Sequence, residues 1–131
     1  MQIILESPKV VYRAGEVIRV RILLLNDSTD VIDIDRRLLI GPNPVPERLT
    51  GMPMPVSVEP SLSDEQNHFI TLNPWCFYGR ERSFDHLPVG ALAVHGYVLE
   101  EHTHACTPKG PADASLLLGA AEPLTLTIER A

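Results

Sequence analysis

A two-residue alternation in the segment EVIRVRILLLN, residues 16–26, constrains the fold more than any other feature of this chain. Apolar residues occupy every second position from Ile18 to Leu24, and Arg19 and Arg21 lie between them. Successive side chains of a β-strand point to opposite faces of a sheet. The segment is therefore predicted to be a strand with one buried face and one exposed face.

Similar patterns recur along the chain. The segment DVIDIDRRLLI resumes the alternation after the predicted turn NDST, and strands are also predicted within ALAVHGYVL and LTLTIER. HFITLNP and RERSFDHL are shorter candidates, and ASLLLGA is ambiguous. The inward positions of the longer strands predict a shared core, made up of Ile18, Val20, Ile22, Leu24, Leu92, Val94, Leu126 and Ile128.

Prolines limit what the middle of the chain can form. Six of the 12 prolines lie between Pro42 and Pro60. Because proline lacks a backbone N–H and keeps the preceding residue out of the helical region, this stretch cannot be a helix. We expect a long irregular connection with an edge strand near Val56–Glu59. Just beyond it, Ser61 and Asp64 form a capping-box pattern that allows one or two helical turns.

Together these patterns predict an all-β fold, an antiparallel β-sandwich with long proline-rich loops. A closed barrel is the alternative, because alternation does not report whether a sheet closes on itself. The 131 residues suit one domain, residues 1–131. A chain of this length can bury a core that folds without disulfides or metals.

The charge and hydropathy of the chain exclude several classes of partner. The net charge is −6 and the pI is about 5.3, so we expect no nucleic-acid partner, because phosphate binding needs a basic face. No apolar run approaches the ~20 residues that span a bilayer, and the start MQIILESPKV lacks the pattern of a signal peptide. A chain complete as given is therefore expected in the cytoplasm, where Cys76 and Cys106 would be thiols.

Two segments together resemble bacterial immunoglobulin-like and macroglobulin-type domains. The first, SPKVVYRAGEVIRVRILLLNDST, has a tyrosine and a Gly-Glu pair before a long amphipathic strand and a polar turn. The second, FDHLPVGALAVHGYV, places Phe84, Leu87, Pro88 and Gly90 at the turn before a strand. The resemblance implies an antiparallel immunoglobulin-like β-sandwich. The chain departs from the pattern in lacking a thioester motif and a disulfide pair at the usual inter-sheet positions.

The segment NPWCFYGRER, residues 73–82, is the strongest candidate for an interaction surface. It contains the only tryptophan of the chain. Tryptophan, tyrosine and arginine are the residues that most often anchor protein interfaces. The predicted binding residues are Trp75, Phe77, Tyr78 and Arg80. In the alternative interpretation, Trp75 and Phe77 cap the core of the sandwich.

Two groups of polar residues suggest ion binding but have simpler explanations. Asp30, Asp33 and Asp35 suggest calcium, but Asp33 and Asp35 have strand spacing, and we expect those two to pair with Arg19 or Arg21 across a hairpin without a metal. The segment HTHAC, residues 102–106, has the pattern His-x-His-x-Cys. In an extended chain its cysteine lies about 13 Å from its first histidine, too far for both to bind one ion. We therefore expect a solvated loop with no metal.

Catalytic motifs are not evident. The chain has no Gly-x-Ser-x-Gly motif and no glycine-rich phosphate loop. His95 has the parity opposite to Leu92 and Val94, so we expect it on the surface of its strand. The sequence therefore predicts neither catalytic residues nor a cofactor.

The leading functional hypothesis is a non-enzymatic module that binds a protein through its loops and the region around Trp75; the oligomeric state stays open. A proteinase inhibitor is one alternative, in which GPNPVPERLTGMPMP, residues 41–55, enters a protease cleft as an extended strand. A metal-dependent protein that uses His102, His104 and Cys106 is another. In the last alternative, the chain is an accessory domain that acts only within a larger assembly.

Overall fold

The computed structural model describes residues 1–46, 69–100, 106–107, 110–111, 115 and 117–130. Regular structure in these ranges is almost entirely β-strand, with short 3-10 turns at Arg36–Leu38 and at Ser115, so the predicted all-β class is confirmed. No described segment forms a helix of the length and apolarity that a membrane span requires. In chain order the strands are β1 (Gln2–Glu6), β2 (Val11–Arg13), β3 (Ile18–Leu25), β4 (Ile32–Asp35), β5 (Leu39–Pro46), β6 (Phe69–Leu72), β7 (Phe77–Phe84), β8 (Gly90–Leu99), β9 (Cys106–Thr107), β10 (Gly110–Pro111), β11 (Leu117–Ala120) and β12 (Leu124–Glu129).

One antiparallel sheet has β3 at its centre, with β1 on one side and β7 on the other. The predicted alternation sets the orientation of β3, because its even-numbered residues from Ile18 to Leu24 are buried and Arg19 and Arg21 are exposed. β7 starts at Phe77, earlier than the predicted segment RERSFDHL, because it pairs with β3 along its full length.

The other large sheet is built around β8. β5 pairs with one edge of β8; β12, followed outward by β2, pairs with the other. β11 continues the line of β12 along β8 after a break at residues 121–123, so the ambiguous segment ASLLLGA contains a strand. These pairs are antiparallel except for β2 and β12, which run in the same direction with Tyr12 beside Ile128.

The core lies between these two sheets. All eight residues of the predicted core are buried, so that prediction is confirmed. One apolar cluster joins the first half of β3, with Ile18 and Val20, to the first half of β8, with Leu92 and Val94. A second cluster joins the later part of β3 to the later part of β8, including Val98. The two strands therefore finish at the same end of the molecule.

We refer to this end, where β3 and β8 finish, as the loop end. It carries the connection between β3 and β4 (residues 26–31) and the connection between β6 and β7 (residues 73–76). β4 and β6 pair with each other in a short two-stranded sheet there. Ile34 of β4 and Leu72 of β6 attach this small sheet to the second core cluster.

The pairing of β4 differs from the predicted hairpin. The strand forms, but it pairs with β6 and not with β3. Both edges of β3 are already taken by β1 and β7, so no edge is left for β4. The predicted ion pairs of Asp33 and Asp35 with Arg19 or Arg21 are therefore wrong.

The first part of the proline-rich stretch is a strand, although we expected an irregular connection. Leu39–Pro46 forms β5 and pairs with β8. Pro42, Pro44 and Pro46 occupy alternate positions, so the residues between them can present their N–H groups to β8. Proline is tolerated in this way at the edge of a sheet. The predicted edge strand near Val56–Glu59 and the predicted turns at Ser61–Asp64 lie outside the described residues.

The prediction for His95 is wrong, since only 8% of its surface is exposed. Every residue of β8 from Leu92 to Leu99 is buried, which means that both faces of the strand are covered there. Parity separates buried from exposed residues only where one face of a strand meets solvent.

Candidate functional site

Asn26 organises the loop end. Its surface is 0% exposed, and its side-chain Nδ2 donates to the carbonyls of Asp30 at 2.8 Å and Leu72 at 2.9 Å. Its Oδ1 accepts from the backbone N–H of Ser28 at 3.0 Å and from the Ser28 hydroxyl at 2.6 Å. The side chain therefore fixes the turn after β3 and ties it to the end of β6.

The backbone of Asn26 also fixes the turn that carries Trp75. The Asn26 N–H donates to the Cys76 carbonyl at 3.0 Å, and the Trp75 N–H donates to the Asn26 carbonyl at 2.7 Å. Within the turn, the Cys76 N–H donates to the Asn73 carbonyl at 3.0 Å. The position of Trp75 is thus set by bonds to the buried core and not by its own side chain.

Trp75 adopts a backbone conformation that is rare for its residue type. Its φ is +64°, in the left-handed region that bulky residues seldom occupy. Burial of the side chain does not offset this conformational cost, because 68% of the residue's surface is exposed. The fold therefore holds a large indole in solvent at a conformational cost, a combination that is typical of functional positions.

The four predicted binding residues divide into two pairs. Phe77, at the start of β7, is 63% exposed, so neither it nor Trp75 caps the core. Tyr78 points inward and packs against the second core cluster. Arg80 is half-buried, and its Nη2 donates to the carbonyl of Leu39. Trp75 and Phe77 are therefore available to a partner, whereas Tyr78 and Arg80 support the sheet beneath them.

Exposed apolar side chains concentrate at the loop end. The described residues include ten exposed large hydrophobic side chains, and four of them (Val10, Val11, Val17 and Val89) lie at the opposite end. The other six belong to the loop end, namely Met1, Val31, Phe69, Trp75, Phe77 and Leu118. Clustered exposed apolar groups mark interaction surfaces more often than scattered ones do.

A cleft of about 550 Å³ opens at this end, and we refer to it as the loop-end cleft. Its apolar lining consists of Met1, Ile32, Ile34, Leu38, Phe69 and Leu118. Asp33, Asp35 and Glu100 add three carboxylates to the lining. The cleft thus combines an apolar surface with acidic groups and falls within the size range of ligand pockets.

Fixed hydrogen bonds hold two of these carboxylates. Asp35 accepts from the backbone N–H of Arg37 at 3.0 Å and pairs with its guanidinium, where Nη2 lies 2.8 Å from Oδ2. The hydrogen bonds that the Arg37 guanidinium donates to the Asp35 carboxylate raise the pKa of Arg37, so the pair stays ionised. Asp33 accepts from the Thr71 hydroxyl at 2.6 Å, and Thr71 is its cross-strand neighbour.

The remaining predicted sites are not brought together by the described structure. His102 and His104 lie outside the described residues, and the backbone of Cys106 belongs to β9, which pairs with β10. Within the described ranges, no group of three or more His, Cys, Asp or Glu side chains is placed to hold a metal ion. Cys76, in the same turn as Trp75, carries an exposed free thiol.

Sequence reasoning found Trp75 but missed Asn26 and the loop-end cleft. Asn26 reads as an ordinary turn residue, and only its partner Leu72, 46 residues further along, makes it a buried clamp. The cleft unites residues from β4, β6 and β11 with Glu100, which directly follows β8, and their proximity depends on the pairing of β4 with β6. The one sequence signal that could have indicated a structural role for Asn26 is its position directly after the long apolar strand β3.

Comparison of the chain with models of protein families, with curated proteins and with solved structures finds no match.

Proposed function

We propose that this chain is an immunoglobulin-like β-sandwich domain that binds a protein partner through its loop end. It acts as a non-enzymatic binding module, and Trp75 and Phe77 are its main contact residues. The observation that carries the proposal is Trp75, whose indole is 68% exposed on a left-handed backbone fixed by buried Asn26.

The order of the strands supports the immunoglobulin-like part of the proposal. In the immunoglobulin fold, strands A, B and E share one sheet, and strands C, F and G share the other. The sheet β1-β3-β7 matches the first set in chain order, and β5-β8-β12 matches the second. In this correspondence, the loop end matches the end of an antibody variable domain where the antigen-binding loops cluster.

The exposed aromatic side chains support the binding part of the proposal. A tryptophan or phenylalanine loses a large apolar area from water when a partner covers it, which makes it an effective anchor. No such gain comes from folding here, since both side chains remain in solvent. A proteinase inhibitor has less support, because residues 41–46 of its predicted loop belong to β5.

Copurification from the native host with variants at both ends tests the proposal. The tagged chain would be crosslinked in cells, and recovered proteins would be quantified by mass spectrometry. We expect Trp75→Gly and Phe77→Ala to lose a specific partner that the unmodified chain retains. Val17→Ala is the matched control, because Val17 is 53% exposed but lies at the opposite end. Equal recovery of every protein by all variants would contradict the proposal.

The stability of Trp75→Gly separates binding from folding. Glycine adopts a positive φ without steric cost, so we expect this variant to unfold at the same or a higher denaturant concentration, with a gain of up to about 1 kcal/mol. Trp75 is also the only tryptophan, so tryptophan fluorescence, excited at a wavelength that the three tyrosines do not absorb, reports this position alone. Binding of the identified partner should shift that emission to shorter wavelength; an unshifted spectrum at saturation would exclude contact with the indole.

A further inference from the structure

We infer that the loop-end cleft receives a segment of the partner in which an apolar side chain stands next to a lysine or arginine. This inference rests on the proposed function and specifies the chemistry of the partner. It names a surface separate from Trp75 and Phe77, because neither of these lines the cleft.

The apolar part of the recognition follows from the lining. Phe69 and Leu118 are 60% and 54% exposed, so the cleft presents large apolar surfaces to solvent. Ile32, Ile34 and Leu38 complete its walls. A volume of about 550 Å³ accommodates one large side chain and the main chain that carries it. Burial of such a side chain contributes roughly 1.5–3 kcal/mol before the costs of association.

The cationic part follows from charge complementarity. Three carboxylates line the cleft, and among the lining residues that the structure describes there is no lysine or arginine. The guanidinium of Arg37 is paired with Asp35, and the amino group of Met1 is paired with Asp27, so each pair is neutral. Asp33 and Glu100 therefore set the sign of the cleft. The net charge of −6 adds a long-range attraction for basic segments and repels acidic ones.

The fold preorganises the acidic group that a cation would meet. The Thr71 hydroxyl, 2.6 Å from Asp33 Oδ1, holds the Asp33 carboxylate on the β4–β6 ladder. Asp35 is fixed by the 3-10 turn that it begins, since its side chain accepts from the Arg37 N–H. A site whose groups are already in place loses less conformational entropy on binding than one that must order itself.

A random heptapeptide library displayed on phage provides the probe. The whole chain would be panned at low and at physiological salt, and enriched sequences would be synthesised for titration. We expect enrichment of an aromatic or long aliphatic residue adjacent to lysine or arginine. Asp33→Asn and Glu100→Gln should each weaken binding of the synthetic peptide by about two- to fivefold, the range of a partly exposed ion pair. Leu118→Ser should weaken it through the apolar contact.

Glu129→Gln is the matched control, because it removes the same charge from an exposed residue at the other end of the molecule. Peptides without a basic residue, no enriched peptide, or an equal effect of Glu129→Gln and Asp33→Asn would overturn the inference. Those outcomes leave the copurification result with Trp75 and Phe77 intact. The opposite result is also distinguishable. If basic peptides bind and Asp33→Asn weakens them, the inference about the cleft holds. If copurification is at the same time unaffected by Trp75→Gly, the proposed contact through Trp75 is wrong.

Discussion

At the scale of single residues, the loop end depends on a polar group placed where the strand pattern ends. Asn26 follows the apolar run of β3 and is buried with four side-chain hydrogen bonds, to Asp30, Leu72 and twice to Ser28. A buried amide is tolerated only when its donors and acceptors are satisfied. Here that requirement also selects one geometry for the turn, and with it the position of Trp75.

Replacement of Asn26 by alanine should lower the free energy of unfolding by about 2–3 kcal/mol. The buried carbonyl of Leu72 would lose its donor, and an unsatisfied buried group costs roughly 1–3 kcal/mol. Denaturant unfolding measures the loss. Ser28→Ala removes one bond to the same side chain and two exposed bonds to the Asp30 backbone, and it should cost about 1 kcal/mol or less because water can replace the exposed bonds. Equal losses in the two variants would show that Asn26 is not the clamp.

The contribution of Glu16 to the free energy of unfolding should depend on pH. A hydrogen bond from Lys9 Nζ at 2.5 Å, together with one from the Arg13 N–H at 2.9 Å, lowers the pKa of the Glu16 carboxyl. Because the folded pKa lies below the unfolded one, the stabilisation is present above the ordinary glutamate pKa of about 4.3 and is lost as pH falls through the folded pKa.

The pH dependence can be checked with Glu16→Gln. We expect the stability difference between the unmodified chain and this variant to be present near neutral pH and to disappear in acid. A titration of the Glu16 carboxyl by NMR provides the direct measurement. A carboxyl that titrates at or above the ordinary value would contradict the ion pair with Lys9.

At the scale of elements, the sequence predicted a strand well where one face meets solvent. β3 alternates between buried apolar residues and exposed Arg19 and Arg21, and it forms as expected. β8 has both faces covered, so its existence could be predicted but the burial of His95 could not. The partner of β4 was unpredictable for a different reason: it depends on which edges other strands occupy, and β1 and β7 already occupy those of β3.

Gly96 of β8 lies close to the other sheet. A Cβ at this position would lie 2.4 Å from Cδ1 of Ile22 on β3 and 3.3 Å from Cδ2 of Leu5 on β1. Ile22 is itself completely buried, so it has little room to move aside. Glycine is therefore favoured here by the close packing of Ile22 and not by backbone conformation.

Gly96→Ala should destabilise the chain by about 1–3 kcal/mol through overpacking. Ile22→Val removes the clashing methyl group and alone should cost about 0.5–1.5 kcal/mol. Together the two changes should cost less than their sum, because the added methyl occupies the space that the other vacates. Ile128→Val deletes the same group from a buried isoleucine of β12 and should not rescue Gly96→Ala, because the atoms nearest to the added methyl belong to Ile22 and Leu5. Strict additivity of Gly96→Ala and Ile22→Val would contradict the close approach.

At the scale of the whole molecule, one core joins the two sheets, and the eight residues predicted from alternation are all part of it. The surface was less predictable. Trp75 stood out through composition alone, but the loop-end cleft required β4, β6, β11 and the residue after β8 to meet in space. The two-residue alternation of side chains therefore predicts which residues form the core. Which residues meet in a surface cleft depends on the order of the strands in the sheets.

Val94→Asp should unfold the chain. Val94 is 0% exposed at the centre of β8, and an unpaired buried carboxylate costs several kcal/mol against a total stability of about 5–15 kcal/mol. Ala91→Asp on the same strand should be tolerated, because Ala91 is exposed. Thermal melts followed by circular dichroism compare the two variants. An unchanged melting temperature for Val94→Asp would show that the core has been misassigned.

The parallel pairing of β2 with β12 has a mechanical consequence. The Thr127 N–H donates to the Val10 carbonyl at 2.8 Å, and the Ala14 N–H donates to the Glu129 carbonyl at 2.7 Å. Tension applied between the chain before β2 and the chain after β12 pulls these neighbours in opposite directions along their axes. The bonds between them are then loaded in shear and must rupture together, whereas a hairpin pulled open would lose them one at a time. Force applied in this direction should therefore meet more resistance than force that opens a hairpin.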